Sequence, residues 1–298
     1  MSRFLLKFPD LLRRAAESLL RLDRRWIFLF ISLGVIVSLV GPFSIEVSIT
    51  TPTARYFSAI DRLPPGSTIL VSMDLGPSTL PELEPILAAT VRHALGRGLR
   101  VLAMTLLVEG PSIGERIMLE AAEELNAMLA EAGEEERITM GENWVFLGYR
   151  AGGGAVILQF GEELRKAYPS DFYGTPLEEL PMMAGVRSFD DMGLVVAVSG
   201  TALPEAWISY AGVPFGIPVL VGCTAVYAPN YYAYLQTRQI EGMLGGLKGA
   251  AEYERLISRP AGATRGMVAQ MTVHVLIVFL IVLGNVAYFI SRGRKRAR

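Results

Sequence analysis

Hydrophobic positions along the chain fall into two regimes. Two runs carry no charged residue over a membrane's width: 26–45, with 20 residues, and 266–291, with 26. An α-helix rises 1.5 Å per residue, so about 20 apolar residues cross the ~30 Å hydrocarbon core. Each run therefore predicts a transmembrane helix. Trp26 and Tyr288 stand where interfacial aromatic residues belong. Between the runs, short continuous apolar stretches alternate with segments of helical periodicity.

That alternation predicts an α/β domain over 46–265. A short strand, a short helix and a Pro-Pro-Gly turn lead in. Apolar runs at 68–73, 100–108, 143–149, 193–199 and 217–224 predict five buried strands. Helices are predicted over 80–95, 112–130, 155–168 and 203–210, with a long last helix over 231–257. Ser78 or Thr79 is placed to cap the first, and Ser112 with Glu115 has capping-box spacing for the second. Residues 169–191, with Pro169, Gly174, Pro176 and Pro181, read as a long irregular connection. Strand–helix alternation with both sheet faces apolar predicts a doubly wound, mostly parallel sheet. At fold level it resembles Rossmann-like or flavodoxin-like architecture. The expected plan is this domain flanked by two transmembrane helices.

Charge adds a topology. Residues 1–25 hold seven basic and three acidic side chains, and the tail 292–298 holds five basic and none acidic. The stretch between them then has sixteen basic against twenty-six acidic residues. Short basic flanks stay in the cytoplasm, so both termini are expected inside and the acidic domain outside the cytoplasm. The first run has no small-residue cleavage site behind it, which favours an uncleaved anchor. Residues 9–25 show a helical apolar stripe opposite Arg13, Arg14, Arg21 and Arg24, suited to the inner leaflet or to a partner subunit. An acidic domain argues against nucleic acid as a partner. The single cysteine, Cys223, and two histidines leave no Cys/His metal set and no intrachain disulfide. No metal and no cofactor is expected. The preference for Arg over Lys suggests a GC-rich prokaryotic source.

Candidate chemistry concentrates where strands end, because doubly wound sheets bind ligands at their carboxyl edge. Asp74 and Ser78, Glu109 and Ser112, Ser199 and Thr201, and Thr224 with Tyr227 and Asn230 would share that rim. Arg150 with Gly152, Gly153 and Gly154 offers free N–H groups at a helix start and a guanidinium, which suits an anion. It matches neither established Gly-rich phosphate loop. No Gly-x-Ser-x-Gly elbow occurs, and His93 lies inside a helix away from the rim, which disfavours a Ser-His-Asp hydrolase.

A second group of residues suggests contacts between chains. Tyr227, Tyr231 and Tyr232 form an aromatic cluster. Gly242, Gly245, Gly246 and Gly249 recur along the predicted last helix, where each costs about 1 kcal/mol relative to alanine. Close helix–helix approach would offset that, within the domain or between subunits. Gln270, His274 and Asn285 put polar groups in the second span, where they tend to face protein. The leading expectation is thus a non-enzymatic, membrane-anchored assembly subunit, its partners membrane lipid and homo- or hetero-oligomeric membrane proteins. A sensing domain binding a small molecule or anion at the rim is the alternative. A hydrolase built on Asp74 or Ser199 comes third.

Overall fold

The computed structural model describes residues 14–41 and 47–292. The expected inner-leaflet helix lies in part, and the basic tail beyond Arg292 wholly, outside them, as do residues 42–45 of the first apolar run. The chain divides into two units, one formed by both terminal regions and one spanning 47–264 of the described residues.

The terminal unit is helical. Residues 14–20 are helical, α1 spans Arg24–Val40, and α9 spans Gly262–Arg292. Among the described residues, α9 alone is long and apolar enough to cross a membrane. Of the two expected spanning helices, one is thus shown among the described residues. α1 has 17 residues and begins on Arg24 and Arg25, so its uncharged part is about 22 Å long at 1.5 Å per residue. It ends at Gly41, whose backbone is extended and whose N–H bonds Val37. Asp23 starts it by accepting from the Arg25 N–H at 2.9 Å. α1 and α9 meet at a hydrogen bond from Ser38 Oγ to Thr272 Oγ1, 2.8 Å long, and Gly34 sits against Leu276. A small residue beside a hydroxyl pair is the usual way for apolar helices to approach closely.

The second unit is a six-stranded, all-parallel sheet in the order β3-β2-β1-β4-β5-β6, with helices on both sides. Its strands are β1 Thr68–Asp74, β2 Arg100–Thr105, β3 Trp144–Tyr149, β4 Met192–Ser199, β5 Val219–Cys223 and β6 Gly242–Gly245. Its helices are α2 Thr51–Asp61, α3 Leu80–Gly96, α4 Pro111–Glu131, α5 Gly154–Ala167, α6 Leu203–Trp207, α7 Ala228–Gln236 and α8 Gly246–Leu256. The order is the Rossmann-like one, not the flavodoxin-like one, with its reversal between β1 and β4. Every residue of β1 is buried. Leu70, Leu102, Val145, Val195 and Val219 face one layer, which is built from α5, α6, α7 and the 150–191 connection. Alternate residues such as Ile69, Val71 and Val101 are equally buried, under the layer containing α3, α4 and α8. Two covered faces explain why these strands read as continuous apolar runs.

The 169–191 segment forms three short 3-10 turns. It carries the chain from edge strand β3 back to β4 beside β1, so it is the crossover that creates the reversal. Several expectations need correction. The long helix over 231–257 is α7, then β6, then α8. No side-chain cap forms at Gly110 or Thr79; α4 starts on Pro111 and α3 carries Pro81 in its first turn. The described lead-in residues 47–50 form no strand.

Candidate functional site

At the reversal, β1 and β4 end side by side with Asp74 and Ser199 as register partners. The helices that follow leave on opposite faces there, so the loops diverge and open a crevice. Its volume is about 290 Å³. Asp74, Ser78, Thr79, Glu109 and Thr201 line it with polar groups, and Leu107 and Val108 form its apolar wall. Two glycines hold the loops together. A Cβ at Gly76 would collide with the Glu109 carboxylate, and one at Gly200 with the Thr79 methyl group. The β1, β2 and β4 loops are thus packed onto one another around the opening.

Asp74 is 1% exposed. Its carboxylate accepts from Ser72 Oγ at 2.6 Å, from the Leu106 N–H at 2.6 Å and from Thr105 Oγ1 at 3.3 Å. Burial pushes its pKa up to about 6, against the lowering effect of those three donors and of the nearby Trp207 indole. The Trp207 N–H itself is buried without a hydrogen-bond partner. Sequence reasoning found Asp74 but missed Ser72, Thr105 and Trp207. Ser72 and Thr105 sit inside apolar strand runs, and the polar residue at each was the only available signal.

Ser199 Oγ lies 2.9 Å from Thr201 Oγ1 and accepts from the Thr201 N–H at 3.1 Å. Thr201 Oγ1 in turn accepts from the Leu203 N–H at 3.3 Å. Ser199 is fully buried and shapes the β4–α6 turn, so it is a poor nucleophile candidate.

The Arg150–Gly154 turn does not join this crevice. It follows edge strand β3, two strands from β1, or about 10 Å across the sheet. Arg150 stacks over the Tyr168 ring, 5.8 Å from its centroid. Gly152 and Gly153 adopt φ of +135° and +51°, and Gly154 abuts Tyr210. Turn geometry and packing therefore account for the three glycines.

The residues expected at chain–chain contacts are also redistributed. Gly242 lies in β6 under the Tyr56 backbone, where any Cβ would collide, and Gly245 abuts Ala228. Gly246 has φ +57° at the strand–helix turn, and Gly249 packs on Leu244. The close approach these glycines predict is made inside the domain. Tyr231 is buried and donates to the Thr201 carbonyl at 3.3 Å, Tyr227 packs against the core, and Tyr232 is exposed. His274 and Asn285 are exposed on α9, and Asn285 donates to Ile281 of its own helix at 2.9 Å. The bond that joins the two helices instead uses Ser38 and Thr272, which no local pattern marks as a pair.

Among the described residues, no group of three or more His, Cys, Asp or Glu side chains is placed to hold a metal ion. Compared with protein-family models, curated proteins and solved structures, the chain matches none.

Proposed function

We propose that the chain is a membrane-anchored binding protein whose domain holds a small polar molecule in the crevice between β1 and β4. The observation that carries this reading is the pairing of Asp74 with Ser199 at the sheet reversal, beside an opening lined by acids and hydroxyls. Doubly wound sheets bind ligands at this position. Asp74 and Glu109 repel anions, so the ligand class is a polyol, a nucleoside-like molecule or an amine. A carboxylate kept dry with its pKa raised is costly to folding, and such costs cluster at working sites. In this reading α9 anchors the domain, the first apolar run of the sequence adds a second crossing, and the basic ends keep both termini cytoplasmic. Ligand binding outside the cytoplasm suits a sensor or receptor.

Assembly with other membrane chains is the second reading. One observation favours it: His274 is exposed on α9, where lipid alone would offer its ring no polar partner. Native mass spectrometry of the full chain, released gently from its own membrane, separates the two. A discrete small-molecule adduct that disappears in Asp74→Asn supports the binding protein. Protein partners without any adduct, in wild type and variant alike, sink it.

A further inference from the structure

A second cavity, of about 240 Å³, lies at the opposite end of the domain, between the C-terminal ends of α3 and α8. Its polar lining is Arg92, His93, Arg97, Ser258, Arg259 and Asp61. Three guanidinium groups face one carboxylate there. Asp61 is engaged by Arg97 Nε at 3.3 Å and lies 3.5 Å from His93 Nε2. Arg92 Nη1 reaches outward to Glu124 at 2.9 Å. Among the described residues, Arg259 makes no ion pair of its own.

Unused donors point the same way. Among the described residues, five buried side-chain polar atoms lack a hydrogen-bond partner, and two of them are Arg92 Nε and Arg259 Nη1. Both belong to residues lining this cavity, and Arg92 also lines the adjoining one beside Glu84, Glu120 and Glu254. A buried guanidinium N–H without an acceptor is costly, and such an orphan calls for a bound water or ion. Cations near helix C-termini do complement the helix dipole. That accounts for Arg97, which donates to the Asp61 carbonyl at 2.9 Å, but it gives the two orphaned nitrogens no acceptor. His93 is fixed by a 2.6 Å bond to Tyr253 OH and stacks on Phe57, which makes that wall rigid. At 240 Å³ the space suits a small ion or headgroup and is below the usual range for a drug-sized ligand.

We propose that this cavity is a phosphate site, in which Arg92, Arg97 and Arg259 converge on the oxygens of a phosphate monoester or of inorganic phosphate. Guanidinium groups are the preferred partners of such oxyanions because their donors match them in pairs. Arg259 stands three residues before α9 in the chain, so an anionic lipid headgroup and free phosphate are both sources of the same chemistry.

The test is isothermal titration of the full chain, in neutral detergent, with inorganic phosphate replacing chloride at constant ionic strength. Binding is expected in wild type, weakened about ten- to a hundredfold in the double variant Arg92→Gln with Arg259→Gln. Arg259→Lys should recover part of the loss. The double variant also loses the bond from Arg92 to Glu124, so Glu124→Gln is the control: it should lower the unfolding temperature to a similar extent and leave phosphate binding in place, which separates lost binding from lost folding. Displacement of phosphate by a short-chain phosphatidic acid identifies a headgroup site, and failure to displace identifies the free ion. Asp74→Asn should leave the phosphate affinity unchanged, so this result is independent of the crevice. No phosphate binding by wild type, or undiminished binding by the double variant, overturns the proposal.

Discussion

Two carboxylates, each 1% exposed, stand in different parts of the domain and are treated in opposite ways. Glu252, on α8, accepts the Thr50 N–H at 2.8 Å and the Thr50 hydroxyl at 2.6 Å, and it is ion-paired with Lys248. Burial works to raise its pKa, but Lys248, Thr50 and Thr53 overcome that and hold it below the ordinary carboxylate range. Asp74 has hydroxyl and N–H donors but no ion-pair partner among its hydrogen-bonded neighbours, and burial prevails. Desolvation penalises both, Asp74 the more deeply; at Glu252 the Lys248 ammonium and the Thr50 and Thr53 donors together outweigh it, and at Asp74 the donors do not. Glu252 is a pin that fixes the residue preceding α2. Asp74 is a charge held under tension beside an opening.

The largest effect should come from removing the pin. Glu252→Ala leaves the half-buried Thr50 N–H and hydroxyl without their acceptor and releases the start of α2. A destabilisation of about 3 kcal/mol at pH 7 is expected in denaturant unfolding of the full chain. The wild-type contribution is present above the unfolded carboxylate pKa near 4.5 and is lost as pH falls through the lower folded value. The variant should therefore lack this acid-side loss. Equal stability of variant and wild type at pH 7 would make Glu252 a bystander.

Asp74→Asn should have the opposite sign. The folded pKa, about 6, lies above the unfolded 3.8, so between these values the folded state binds the extra proton. Stability is then lost as pH rises across that window. Keeping the charge at pH 8 costs at most about 3 kcal/mol, reduced to about 2 by the new amide group's need for an acceptor. Asn at this position should stabilise the protein at pH 8 and change little at pH 4. Urea midpoints at the two pH values check this. A destabilised variant at pH 8 would remove Asp74 from the class of strained working groups.

This contrast was only partly legible in the sequence. Buried strands at 68–73 and 193–199 announced themselves through unbroken apolar runs, because a sheet covered on both faces tolerates little else. Asp74 drew notice because it closes such a run. β6 was hidden: Gly242–Gly245 is four residues long with two glycines, and its membership depends on Tyr56 packing over it from far along the chain. Strand order was equally hidden, so no local pattern could say that Asp74 and Ser199 adjoin while Arg150 stands apart. Glu252 carried no signal at all, because an acid four residues after a lysine on a helix reads as a solvated pair.

The smallest effect sharpens the comparison most. Ser72 donates to Asp74 at 2.6 Å and is the strongest of the groups that hold its pKa down. Ser72→Ala removes that donor and leaves the Leu106 N–H and Thr105 in place. The ionised carboxylate loses more than the protonated one, so the folded pKa should rise above 6. The variant should be destabilised by about 1 kcal/mol at pH 8 and by clearly less at pH 4. In the double variant with Asp74→Asn, the pH dependence of the Ser72 effect should vanish, because no charge remains for the hydroxyl to stabilise. A Ser72 effect of the same size at both pH values would mean that the hydroxyl serves packing alone, and that the tension at Asp74 is set by burial without a tuning partner.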